Sequence, residues 1–214
     1  MAGRDINSIM AGWVDRGPWQ YYDTVRQAPS SQLLASYSPF SIPIGTADPF
    51  NNVAKTKLLT NMVRGNNFPP PRCLVIMQVG FLFSPQMFKP DVDLIMDNAY
   101  VEVRIDDKIY MEGQIWQFPA GVGEVIFSTQ TGQAAVGNGL QTLEATRRYG
   151  EYSKYVAPLQ QFSMLITFAG TPPTVSAQII TGGGVGGTYG SSSANNTAVY
   201  MVPFFDGLTD RAVQ

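Results

Sequence analysis

The twenty residues AYVEVRIDDKIYMEGQIWQF (99–118) constrain the fold more than any other stretch of the 214-residue chain. Ala99, Val101, Val103 and Ile105 alternate with Tyr100, Glu102 and Arg104, the period of a strand with one face in a core and the other in water. Asp106, Asp107 and Lys108 break the pattern, and an apolar-rich stretch resumes at Ile109, so the segment reads as an antiparallel hairpin. Within it Gly113 marks a bulge.

Other stretches speak the same language. CLVIMQVGFLF (73–83) is a continuous apolar run, suited to a strand buried on both faces. FSMLITFA (162–169) alternates again, with Phe162, Met164, Ile166 and Phe168 inward. EVIFST (124–129), VSAQIIT (175–181) and AVYMVPFF (198–205) add strands, and SIPI and LLTNMV are weaker ones, seven to nine in all. Turns such as PAGVG and GTPPT separate them, and no heptads, tandem repeats or alternation of strands with helices occur. This pattern predicts an all-β, antiparallel β-sandwich, with the eight-stranded single jelly roll matching both the strand count and the uneven loops.

The two ends read differently. In RDINSIMAGW, Asp5 is placed as an N-cap and Ile6, Ile9, Met10 and Trp13 recur at helical spacing. Two turns cannot hold themselves together in water, so this stripe must dock somewhere. From Gly17 to Phe50, prolines 18, 29, 39, 43 and 49 punctuate aromatics, which predicts an extended arm with one or two short strands. The expected organisation is an arm over 1–32, a sandwich over 33–208 and a tail over 209–214. In the arm, Ile6, Ile9, Met10, Trp13, Trp19, Tyr21 and Tyr22 are expected to bury against another chain. Leu140, Leu143 and Arg147 predict a short helix ending near Gly150.

Only 14% of residues are charged, against an average near 25%, while 44% are hydrophobic. Much of the surface is therefore expected to be covered by neighbours, since interface cores are poor in charge and rich in aromatics and Met. The net charge is −2 and the basic pair Arg147-Arg148 has no companions, which argues against direct nucleic-acid binding. No apolar run reaches the roughly 20 residues of a membrane helix and no signal-peptide stretch opens the sequence, so a soluble cytosolic product is expected.

Catalytic patterns fail one by one. The chain contains no histidine, which removes Ser-His-Asp and Cys-His nucleophiles and imidazole zinc sites together. The single Cys73 sits in an apolar run and reads as a small buried hydrophobe. In TGGGVGGTYGSSSANNT (181–197), Gly182, Gly184 and Gly187 satisfy G-x-G-x-x-G, but no helix start follows to hold pyrophosphate, so the segment reads as a long loop. Val185 and Tyr189 at its tip are then contact residues toward a neighbour or an external ligand. Asp91, Asp93 and Asp97 miss calcium-loop spacing at Ile95 and Met96 and read as a loop before a strand. Asp106 and Asp107 read as a hairpin tip and not as an acid/base pair, Asn195-Asn196-Thr197 carries only a formal sequon, and no Ser-x-x-Lys occurs. No enzyme activity, cofactor or metal is expected.

The aromatic, proline-punctuated N-terminus, with YVEVRIDDKIYMEGQIWQFPAGVG and YVAPLQQFSMLITFAGTPPTV, resembles bacteriophage virion proteins of the single jelly-roll type over about residues 70–180. That resemblance implies a shell component, either a capsid subunit or a cement or decoration protein bound over one. Its partners would be other copies of itself and other virion proteins, and it would be assembled in the host cytoplasm. The reading from a different class is a carbohydrate- or receptor-binding sandwich of a phage tail or spike, with Trp116 stacking on sugar.

Overall fold

The computed structural model describes residues 14–28, 31–83, 89–118, 147–148, 153–174 and 199–212. Ten strands, one α-helix and one 3-10 turn are formed by these residues: β1 (Val14–Tyr22), β2 (Val25–Gln27), β3 (Ser36–Tyr37), β4 (Cys73–Phe83), α1 (Lys89–Asn98), β5 (Ala99–Ile105), β6 (Lys108–Gln114), the turn Ile115–Gln117, β7 (Arg147–Arg148), β8 (Lys154–Val156), β9 (Phe162–Phe168) and β10 (Val199–Ala212). The first sheet has the order β1-β10-β4-β7, with β2 continuing β1 along β10 and β8 also pairing with β4. The second has the order β3-β9-β5-β6, and every pairing is antiparallel.

With β1/β2 counted as one strand and β7/β8 as another, eight strands lettered B to I run B-I-D-G in one sheet and C-H-E-F in the other. This is the connectivity of a jelly roll, and the expected all-β sandwich is what the chain forms. Its core is aromatic. Phe40 stacks on Phe205 and Phe68 on Phe162, each at 4.8 Å between ring centres, while Tyr21 leans on Phe68 at 4.5 Å.

Strand β4 explains its own unbroken apolar run. Gln78 faces Asp206 and Ile76 faces Gly207, leaving Met77 as an extra residue in a bulge. The bulge switches which parity points inward, so Leu74 and Ile76 share the core with Val79, Phe81 and Phe83. In the β5–β6 hairpin the bulge sits at Tyr110, between the pairs Val103–Met111 and Arg104–Ile109, and not at Gly113, which pairs with Val101. The hairpin tip is the two residues Asp106 and Asp107, with Lys108 already in β6, and Asp106 stands at φ 51, a conformation that Asp tolerates better than most residues.

Six expectations are corrected here. The arm boundary moves, because Val14–Tyr22 pairs along its whole length with β10 and Tyr21 is 3% exposed in the core of its own chain. Ring and backbone together account for this, since Tyr21 fills space against Phe68 while its strand closes the sheet next to β10. The supposed tail from Thr209 continues β10 to Ala212, held between Cys73–Leu74 on one side and Val14–Gly17 on the other. The Asp-rich segment before β5 is helix α1, with Val92 and Ile95 buried and Met96 packed on the core at helical spacing, and Asp91 in the first turn where a negative charge suits the helix dipole. Arg147 lies in β7, opposite Val79, and not in a helix. SIPI forms no strand, and LLTNMV contributes only a single bridge between Thr60 and Asp23. Residues 1–13, 119–146 and 175–198, and with them the expected features at 124–129, 140–146 and 175–181, lie outside the described residues.

Candidate interaction surface

Pro203 shapes the site. It lies in the central strand β10, its carbonyl accepts from the Asp23 amide at 3.2 Å, and it has no N–H to return to Asp23. The ladder breaks there, which separates β1 from β2 and leaves Asp23 and Thr24 outside regular pairing. Both are buried. The long connection 38–72 fills the gap. Lys55 Nζ donates to Asp23 Oδ1 at 2.6 Å and to the Thr24 carbonyl at 3.0 Å, and the Phe40 amide donates to Asp23 Oδ2 at 2.8 Å. Burial pushes the Asp23 carboxyl above its ordinary range, while the Lys55 charge and these hydrogen bonds pull it back.

The same connection covers part of the open edge of β1. Asn61 takes the place of a neighbouring strand, its Oδ1 accepting from the Tyr22 amide at 2.9 Å and its Nδ2 donating to the Gln20 carbonyl at 2.7 Å. Thr60 Oγ1 donates to the Tyr22 carbonyl, and the Tyr22 hydroxyl donates to the Lys57 carbonyl. Asn61→Ala strips two edge groups of their partners, and we expect it to cost about 1–2 kcal/mol in urea unfolding, softened because water can reach part of this edge.

The two outer faces of the sandwich differ in character. On the second sheet, Glu102, Arg104, Glu112, Gln114, Ser163 and Thr167 point outward together with Tyr100, Ile109 and Leu165, and Glu102 and Arg104 pair with each other. This face is mixed, its apolar side chains separated by charged and polar ones. On the first sheet, Tyr22, Leu82, Val202, Phe204 and Leu208 share the outward side by strand alternation. Their polar neighbours Gln78 and Asp206 hydrogen-bond to one another across the strands. Against this face lies a groove of about 440 Å3, walled by Tyr22, Leu58, Leu59, Leu82, Val202 and Phe204. Leu58 on its rim is 90% exposed, so a large apolar side chain is presented to whatever enters.

A second cavity of about 450 Å3 opens between β2, β3 and the connection, lined by Val25, Tyr37, Pro39, Ile42 and Phe50. Its charged residues face one another: Arg26 pairs with Asp48 at 2.9 Å and lies over the Phe50 ring, and Lys55 holds Asp23. Such pairs bind the connection to β2 and leave little charge to attract a ligand.

Of the expected contact residues, Trp19 is 40% exposed, Tyr22 lines the groove, and Tyr21 belongs to the core. Ile6, Ile9, Met10, Trp13, Val185 and Tyr189 lie outside the described residues. Trp116 is 52% exposed on the turn after β6, its indole N–H donating to the Gln114 side chain. Gln114 in turn sits opposite the exposed Tyr100. Cys73 is buried and in no disulfide. Asp91, Asp93 and Asp97 lie on α1, and among the described residues no three His, Cys, Asp or Glu side chains gather as a metal site would require. Asp106 accepts a hydrogen bond from Gln160 at 2.6 Å. Among the described residues no helix is long and apolar enough to cross a membrane.

The groove was not legible in the sequence, because it joins β1, β4 and β10 to a loop residue more than a hundred positions from two of its walls. No protein-family model, curated protein or solved structure matches the chain.

Proposed function

We propose that the chain is a structural protein of a bacteriophage particle, forming or cementing the capsid shell and acting without catalysis. Its partners are other copies of itself or, if it is a cement protein, the principal shell protein, and it resides in the virion after assembly in the host cytoplasm. The observation that carries this reading is the apolar outer face of the first sheet, with Leu58 exposed at the rim of its groove. The second sheet sets charged and polar side chains among its outward apolar ones, whereas the groove on the first joins apolar side chains into one patch, and such a patch invites cover. The jelly roll recurs in viral capsid and lectin domains, and the likeness of residues 70–180 to phage virion proteins favours the first.

Sedimentation of the full chain across a concentration series, with negative-stain microscopy, tests the reading. Discrete oligomers or shells are expected, weakened about tenfold or more in association by Leu58→Asp, a loss of at least about 1.4 kcal/mol. Leu58 stands outside the core, so the circular dichroism of that variant should be unchanged. A chain that stays monomeric at every concentration and also fails to decorate isolated phage shells would refute it.

A second reading rests on Trp116, Gln114 and Tyr100, which bring two exposed aromatic rings and an amide to one end of the second sheet. Aromatic faces stack on sugars, and this would make the chain a carbohydrate-binding head. Specific glycan binding abolished by Trp116→Ala would favour it over the shell.

A further inference from the structure

We infer that the groove on the first sheet receives the N-terminal segment Ile6–Trp13 of a second copy. This rests on the assembly reading above and names the contact it uses. The segment carries Ile6, Ile9, Met10 and Trp13 at helical spacing, an apolar stripe too short to be stable alone. The groove offers Tyr22, Leu58, Leu59, Leu82, Val202 and Phe204 with the uncharged Gln20 and Thr24, and among the described residues no charged side chain lines it.

Reach decides whose segment enters. Val14 begins β1 opposite Ala212, whereas the groove lies at Gln20, Tyr22 and Thr24. At about 3.4 Å per residue, the near wall of the groove stands about 20 Å from Val14. Residues 6–13 wound as a helix span only about 12 Å, so the segment falls short of the groove of its own chain. Stretching it to reach would scatter the stripe that makes it apolar on one side. A neighbour's segment is under no such restriction, and exchange of this kind links copies head to tail, the contact that closes into rings when the rotation allows.

Cross-linking between two variants of the full chain tests this. Leu58→Cys places a thiol on an exposed rim residue, Ile9→Cys places one on the stripe, and native Cys73 is buried. On mixing the two proteins and oxidising gently, a disulfide-linked pair containing one of each is expected, at least tenfold faster than either protein links to itself. Closure within a single chain of the Ile9→Cys/Leu58→Cys double variant in dilute solution would overturn the inference. So would dominant linkage of Leu58→Cys to itself, which would mean that two sheet faces meet directly. Absence of the mixed link in a sample that sedimentation shows to be assembled overturns the inference and spares the assembly reading. Its absence in a sample that is monomeric throughout overturns both.

Discussion

Replacing Lys55 by methionine is expected to destabilise the fold by about 3–5 kcal/mol at neutral pH, because it strands a buried carboxylate. Lys55 and Asp23 are both buried, and their 2.6 Å contact is the main compensation for taking Asp23 out of water. The sign of the pH dependence follows. The folded Asp23 carboxyl already lies above its ordinary range through burial, and removing the Lys55 charge removes the largest opposing influence. A folded state that holds a proton more tightly than the unfolded chain loses stability as pH rises through the folded pKa. The variant should therefore be closest to wild type in mild acid and furthest from it at neutral pH and above. Asp23→Asn in the same chain keeps an acceptor for the Phe40 amide while deleting the charge, so the double variant should recover much of the loss at pH 7. Urea unfolding of the three proteins at pH 5 and pH 7.5 measures this, and a loss for Lys55→Met that is equal at both pH values would contradict it.

The pair also ties the groove to the fold. Lys55 lies in the connection that carries Leu58 and Leu59, and Asp23 lies one residue from Tyr22, so the contact fixes two walls of the groove against each other. A weakened pair should loosen the groove, and through the Phe40 amide held by Asp23 it also reaches the aromatic core, where the Phe40 ring stacks on Phe205.

What the sequence made legible follows from how each signal is carried. Strands β4, β5 and β9 announce themselves because their burial is written locally, every second residue or all in a row, and β6 is legible as the return of the β5 hairpin. Helix α1 was hidden by three aspartates that suggested a loop, although Val92, Ile95 and Met96 hold the helical spacing. Strand β1 was hidden by Gly17 and Pro18, which weaken a strand in isolation; an edge strand accepts them because one side of its ladder has no strand partner. The last residues of β10 look polar because Thr209 faces inward yet is satisfied by the Cys73 carbonyl and the Tyr21 hydroxyl. The Asp23–Lys55 pair joins positions 32 residues apart, and the groove joins positions farther still. Neither has a local pattern to read. The expectation of a covered, charge-poor surface came from composition alone, and the sheet that carries the apolar face is decided only by pairing.

The second large effect is expected at Gly207, where alanine should cost more than about 3 kcal/mol and sharply reduce the yield of folded protein. A Cβ at this position would sit 1.9 Å from the Val75 carbonyl oxygen and 3.2 Å from the Met77 amide nitrogen. Those atoms are backbone of the central strand β4, so no rotamer change relieves the clash and the β4–β10 ladder itself has to part. The position is also where the register shifts between Asp206 and Gly207, so the bulge that sends Ile76 inward and leaves Met77 unpaired depends on this close approach. Without the bulge, Gln78 and Gly80 would take the inward places of Val79 and Phe81, and the apolar set on the outer face would be scrambled with them. Gly45 provides the comparison: its φ of +84 disfavours a side chain, but a Cβ there meets nothing within 4 Å, so Gly45→Ala should cost only about 1–2 kcal/mol. Thermal melts of the two variants separate steric exclusion from backbone preference, and a Gly207→Ala protein as stable as Gly45→Ala would show that β10 can shift away from β4 at little cost. In that event the bulge would not be pinned by glycine, and the outer face of the first sheet would owe its apolar register to the core residues of β4 alone.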